Sequence, residues 1–229
     1  MIQKKFKSFI FSLIESLIRN VSGGFGEKIR YFWYKRRFRN CGKNVRIKES
    51  VIIYNPQNIE VGSNVVIMAN TLIDGPEDNP NEENFDKKII NKDYDQDRIS
   101  IIIEDEIQIG PYNLISGLGG IILKNRVTLS ARVSLYSSSH LPNDPQDKSK
   151  VTSSNNMTLN QFEPTVRCPI FIGENTWIGL NVSMFGHSIG ENCFVKTNSV
   201  ITNDLEKNSI YSGSPATYVS KRFDVNARK

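Results

Sequence analysis

"IEDEIQIGPYNLISGLGGIILKNRVTLSARV", residues 103–133, decides the fold. Ile103, Ile109, Ile115, Ile121, Val127 and Val133 recur at strict steps of six. Two positions before each of the last five stand Ile107, Asn113, Gly119, Asn125 and Ala131, small or medium in most cases. A helix repeats its apolar residues about every 3.6 positions and a flat strand about every two. A period of six fits neither over this length. It fits a solenoid of short strands joined by tight corners, each strand burying an aliphatic residue in a narrow interior. A β-sandwich would show alternation with turn signals roughly every 8–12 positions, and no such pattern is seen.

The spacing extends in both directions. It begins at Ile47 and Ile53 and continues at Val61, Ile67 and Ile73. It returns at Ile172, Ile178 and Met184, drops one residue, and resumes at Ile189, Val195 and Ile201. Two stretches interrupt it. The first, residues 74–100, carries nine Asp/Glu against four Lys/Arg. The second runs over residues 140–168. Both are long for connections in a compact domain, and such loops are often functional. They are expected to wall a site on the solenoid surface, the alternative being decorative or interface loops.

The composition allows one large domain or two small ones in 229 residues. A hydrophobic share of 38% and a charged share of 23% are ordinary for a soluble protein. No apolar run reaches the roughly 18 residues of a membrane span. Glu15 interrupts the apolar N-terminus and no small-residue cleavage site follows, so no signal peptide is expected. Cys41, Cys168 and Cys193 are odd in number and widely spaced, without a C-x-x-C. That argues against a disulfide framework and a zinc site, and for a cytoplasmic setting.

The net charge of +5 is unevenly spread. Residues 1–40 hold ten Lys/Arg and two Glu, or +8, and the remainder holds 19 basic and 22 acidic residues, or −3. In residues 1–20, Ile2, Phe6, Phe9, Ile10, Leu13, Ile14, Leu17 and Ile18 mark one face of a helix, with Gly23 and Gly24 expected to end it. The next segment, "EKIRYFWYKRRFRN" (27–40), mixes aromatic and basic residues. Such an arm suits an anionic membrane surface, peripheral at the inner face of the cell membrane, better than nucleic acid. The alternative is that both helices pack on the main domain or on a neighbouring subunit. The two can hold together.

"IEVGSNVVIMANTLID" (59–74), "IGPYNLI" (109–115) and "IFIGENTWIGLNVSMFGHSIGENCFVKTNSVITNDLEKNSIYSGSPATYVSKR" (170–222) resemble the hexapeptide-repeat acyltransferases, in their sugar and surface-polysaccharide O-acetyltransferase branch. The resemblance implies a mainly β fold, a left-handed parallel β-helix in which three hexapeptides make one triangular coil. The seventeen inner positions then give about five to six coils. The expected organisation is a basic helical arm (1–40), a β-helix acyltransferase domain (41–222) with two inserted loops, and a C-terminal tail (223–229).

Only two histidines occur in the chain. Stepping on from Val133 makes Ser139 the next inner slot, so His140 should point outward at the mouth of a loop. His187 lies two positions before Ile189, in a slot that leans inward, and reads as structural or as a subunit contact. The resemblance strengthens the case for His140. In the O-acetyltransferase branch a histidine follows a polar run at this point, and "YSSSH" (136–140) matches it. An imidazole titrates near neutral pH and suits proton abstraction from a sugar hydroxyl attacking a thioester. The oxyanion then needs a donor, often a backbone N–H. Ser137 or Ser139 is a candidate to orient the ring.

The resemblance also implies acetyl-CoA as acyl donor, lying in the groove between subunits of a homotrimer over the C-terminal coils. The matching positions are Trp177, Gly179, Ser199 and the turn Gly213, Ser214, Pro215 and Ala216. Lys221 and Arg222 are candidates for the CoA phosphates. Leu180, Lys196, Thr197 and Thr217 depart from the family's usual residues. The expected function is O-acetylation of a surface polysaccharide or its lipid-linked precursor, without a metal. N-acetylation of a nucleotide-linked amino sugar and a noncatalytic β-helix scaffold are the alternatives. Two histidines cannot supply the three-histidine metal site of carbonic anhydrases on this solenoid.

Overall fold

The computed structural model describes residues 2–76, 85–87, 100–141 and 165–223, with side chains described from Ile10 onward except those of 85–87 and 165. Most of the two expected insertions, and residues 224–229 of the tail, lie outside the described residues.

Each repeat turns two side chains inward, not one. In the strand Ile101–Ile103, Ile101 and Ile103 are buried while Ile102 between them faces outward, as alternation along a strand requires. The same pairing recurs at Ile107 and Ile109, Val127 and Leu129, and Val133 and Leu135, all at most 1% exposed. Inward aliphatics from every repeat form one continuous core.

The strands stack in parallel on three faces. The first face holds Asn40–Cys41, Ile59–Val61, Ile101–Ile103, Ile121–Leu123, Ile170–Ile172 and Ser188–Ile189. The third holds Ile52–Tyr54, Leu72–Asp74, Leu114–Ser116, Ser134–Tyr136, Ser183–Phe185 and Val200–Ile201. The second holds the seven strands Arg46–Ile47, Val66–Ile67, Gln108–Ile109, Thr128–Leu129, Trp177–Ile178, Phe194–Val195 and Ser209–Ser212, then the antiparallel strand Thr217–Lys221. Among the described residues, six strands stand on each of the first and third faces, which makes six coils. Cys41 opens the series, paired with Val61. A cysteine in place of an aliphatic hides that slot in the sequence.

The three corners differ. The turns from first to second face and from second to third each use one residue at positive φ, such as Asn64, Asn175 and Asn192, or Asn70, Asn181 and Asn198. Asparagine tolerates this left-handed conformation better than most side chains. Stacked asparagines also bond between coils, Asn175 Nδ2 to Asn192 Oδ1 at 3.1 Å and Asn192 Nδ2 to Asn208 Oδ1 at 3.0 Å. The corner from third to first face takes all the irregularity. There lie the short 3-10 turn Pro56–Asn58, both insertions, and Gly117–Gly120.

That corner corrects the reading of strict steps of six. Leu123, not Ile121, aligns with Ile103, because Ile121 pairs with Ile101. The glycine-rich corner adds two residues, and the count from Ile115 crosses into the other inward slot. Both slots are buried, so the numerical period survives a change of phase.

The arm forms two helices, α1 (Ile2–Arg19) and α2 (Gly23–Lys35). The glycine pair does not end the first helix, as expected from the sequence, but opens the second. α2 lies on the second-face strand of the first coil. Its inward side is Gly26, Arg30 and Tyr34. Arg30 is fully buried, its Nε donating to the Ile47 carbonyl at 2.8 Å. Its Nη1 donates to the carbonyls of Ile18, Arg19 and Val21, which satisfies the end of α1. Tyr34 and Phe38 join the core, and Tyr34 Oη donates to Glu15 at 2.5 Å. Burial, then that carboxylate, pushes the Tyr34 phenol up. Glu27 accepts from Lys48 and, at 3.0 Å, from Arg46 Nε of the first coil. The hydrogen bond from Lys48 is the main cause that holds its carboxyl below the usual range, against the opposing effect of burial.

Candidate active site

The chain leaves the coil at Ser137, not Ser139. Ser137 is fully buried, and its Oγ donates to the Ser116 carbonyl at 2.8 Å and accepts from Gly119 N–H at 2.9 Å. A side chain at Gly119 would place its Cβ 1.9 Å from the Ser137 carbonyl oxygen, so this close approach requires glycine. The Ser137 hydroxyl is therefore committed to the backbone, which corrects its proposed role in orienting an imidazole. Ser139 is exposed, outside the interior expected for it, and its Oγ donates to the His140 carbonyl at 3.3 Å.

His140 is exposed and ends the strand Ser138–His140. This strand runs antiparallel to Thr165–Arg167, with His140 opposite Thr165. Thr165–Arg167 in turn pairs in parallel with Phe85–Lys87. The two insertions thus share one three-stranded sheet at the irregular corner, with His140 on its edge strand. Sequence reasoning found both insertions and the histidine. It missed their union, because strands of three residues separated by such long stretches leave no periodic signal.

The residues matched to donor binding gather on another edge, between the second and third faces. Trp177 is 47% exposed, its indole Nε1–H donating to Ser130 Oγ of the preceding coil at 2.9 Å. Phe194 of the next coil lies against it, ring centroids 5.0 Å apart. Gly179 admits the next coil, since a Cβ there would lie 2.6 Å from the Val195 carbonyl oxygen. Leu180 beside it is half exposed. Ser199 is buried, and its Oγ donates to the Lys196 carbonyl and accepts from Gly213 N–H. Gly213 has φ +107°, a conformation glycine adopts without penalty. Ser214 and Pro215 are exposed and joined by a cis peptide, while Ala216 N–H returns to the Val200 carbonyl at 2.8 Å. The edge offers an exposed indole, an exposed leucine and a fixed turn, which suit a flexible pantetheine chain.

Lys221 is exposed beside a cavity of about 440 Å³ at the C-terminal end, lined also by Lys207, Tyr218 and Phe223. Arg222 is different. Its Nη1 donates to the carbonyls of Asn175 and Cys193, both at 2.7 Å. It clamps the last strand to the coils, which corrects its assignment to the CoA phosphates.

Within one chain the third face separates the donor edge from the corner of His140. A strand of three residues spans about 10 Å. That face carries a cavity of about 320 Å³ lined by Tyr136, Met184, Phe185, His187, Val200 and Thr202, among others. His187 has φ +69°, and its Nδ1 lies 3.4 Å from Asp204. The two stand one coil apart, a spacing the sequence already contained.

Comparison with known proteins agrees with the coiled fold. A family model described as the hexapeptide repeat of succinyl-transferase matches residues 169–203. A dTDP-4-amino-4,6-dideoxy-D-glucose acyltransferase of Escherichia coli is 26% identical over 81% of this chain and 83% of its own. The putative lipopolysaccharide biosynthesis O-acetyl transferase WbbJ of Escherichia coli K12 is 24% identical over 53% of this chain and 60% of its own. In fold, the chain is similar to a variant of AntD, an N-acyltransferase from Bacillus cereus, in complex with dTDP and coenzyme A. The TM-score is 0.66 at 22% identity, covering 86% of this chain and 91% of that one. Fold likeness of this kind implies the left-handed winding. Residues 169–203 thus carry a hexapeptide repeat, and the chain is similar to sugar acyltransferases of the hexapeptide-repeat kind.

Proposed function

We propose that the protein transfers an acetyl group from acetyl-CoA to a sugar hydroxyl of a surface polysaccharide or its lipid-linked precursor, with His140 as general base. One observation carries this reading. His140 is exposed on the edge of a sheet to which both insertions contribute, so the acceptor walls and the base share one corner. The donor edge of Trp177, Gly179, Ser199 and Gly213–Ala216, with Lys221 toward the phosphates, holds acetyl-CoA. The width of the third face sets donor and base of one chain apart. In the proposed homotrimer a neighbouring subunit's donor edge faces His140.

The chemistry needs no acyl-enzyme. His140 takes the proton as the acceptor oxygen attacks the thioester carbonyl. The tetrahedral oxyanion is held by a hydrogen-bond donor. Its collapse breaks the carbon–sulfur bond, and the imidazolium returns its proton to the leaving thiolate.

A second reading has its own support. The E. coli acyltransferase of an amino sugar aligns along most of this chain, which favours an amine of a nucleotide-linked sugar as acceptor. Thiol release from acetyl-CoA tests both readings, with sugar hydroxyl acceptors and dTDP-4-amino-4,6-dideoxyglucose in parallel. Release with a hydroxyl acceptor, lost in His140→Ala, supports the first. Release with the amine alone supports the second. Release with neither contradicts both.

A further inference from the structure

We infer that the N-terminal helix pair is a docking surface for an anionic lipid membrane, and that it holds the solenoid at that surface. This inference is independent of which acceptor the enzyme uses.

The arm leaves an apolar and basic surface uncovered. On α1, Ile10, Leu13 and Leu17 follow helical spacing and are 37%, 48% and 67% exposed. On α2, Phe25 and Phe32 are 72% and 59% exposed. Lys28, Lys35 and Arg36 are exposed among them. Phe25, Lys28, Phe32 and Lys35 fall at steps of three and four, one stripe of the helix. Lys28 and Phe32 each stand about 200° around the helix from Arg30, which faces the coil. The stripe is therefore the outer side of a helix whose inner side is already committed.

Exposed apolar residues alone would not name a partner. Charge does. Residues 1–40 carry +8, and the rest of the chain carries −3. A second copy of this chain offers no matching negative patch on its own arm. An anionic lipid surface accepts both components, with leucine and phenylalanine entering the acyl boundary and Lys and Arg meeting headgroups. Among the described residues no helix is long and apolar enough to cross a membrane, so the mode is interfacial. Nor is α2 a loose tether. Arg30, Tyr34 and Glu27 bind it to α1 and the first coil, so lipid contact would fix the orientation of the solenoid.

The test is cosedimentation of the full chain with vesicles of pure phosphatidylcholine and of phosphatidylcholine with phosphatidylglycerol. Molar mass is measured in parallel by light scattering. Binding is expected on the anionic vesicles, weaker on the neutral ones and weakened by salt. Leu13→Gln with Leu17→Gln, and separately Lys28→Ala with Lys35→Ala, should each weaken binding roughly tenfold or more. These positions are exposed, so circular dichroism and molar mass should not change. Equal binding to both vesicle types, or none at low salt, would overturn the proposal. So would a fall in molar mass in the leucine variant, which would assign the stripe to a second copy.

Discussion

Gly119 shows how a single residue sets the departure of His140 from the coil. Its N–H bonds the Ser137 hydroxyl, and its missing side chain lets the Ser137 carbonyl approach. Gly119→Ala should shift this crossing and destabilise the protein by about 1–3 kcal/mol, the usual range for overpacking. A thermal melt would read the loss. His140→Ala should behave in the opposite manner, leaving the melt unchanged while lowering kcat by roughly 10²–10⁴. At the donor edge, Trp177 is exposed and held by Ser130. Trp177→Ala should raise KM for acetyl-CoA several-fold with less effect on kcat, as expected when ground-state and transition-state binding fall together. A kcat effect alone would remove Trp177 from the donor site.

Among the elements, the strands were the most legible in the sequence. A buried aliphatic at fixed spacing is a direct consequence of a narrow interior, so Ile103, Ile109 and Ile115 declare themselves. The phase change at Gly117–Gly120 was not legible, because Ile121 and Leu123 are both apolar and either fits the period. Ser139 was misassigned for the same reason, since counting cannot detect that the backbone has left the coil. Cys41 escaped because its slot is filled by sulfur. The helix pair was legible as amphipathic, but not the buried Arg30, whose partners are backbone carbonyls. At this scale α2 carries a pH-dependent contact. Lys48 and Arg46 lower the Glu27 carboxyl below its usual range. Its contribution is therefore full above the ordinary carboxylate value near 4.5 and is lost as pH falls through the lowered one. Glu27→Gln should cost about 0.5–1 kcal/mol near pH 7, and the difference from wild type should vanish in strong acid. A difference that persisted there would mean that packing, not charge, is what the substitution disturbs.

For the whole molecule, one edge of the solenoid carries the residues proposed to hold the donor, and another carries His140 with short strands from both insertions. The sequence named these residues but could not reveal that they stand on different corners. In the proposed homotrimer, that separation is bridged by a groove between subunits. On the proposed reading, the donor edge and the base are separate parts of one acyl-transfer site. Calorimetric titration of the purified protein with acetyl-CoA and with free CoA tests it most directly. Saturable binding of both is expected, about one per subunit, kept in His140→Ala and weakened in Trp177→Ala. No binding of either ligand at millimolar concentration, or binding abolished by His140→Ala alone, would contradict it.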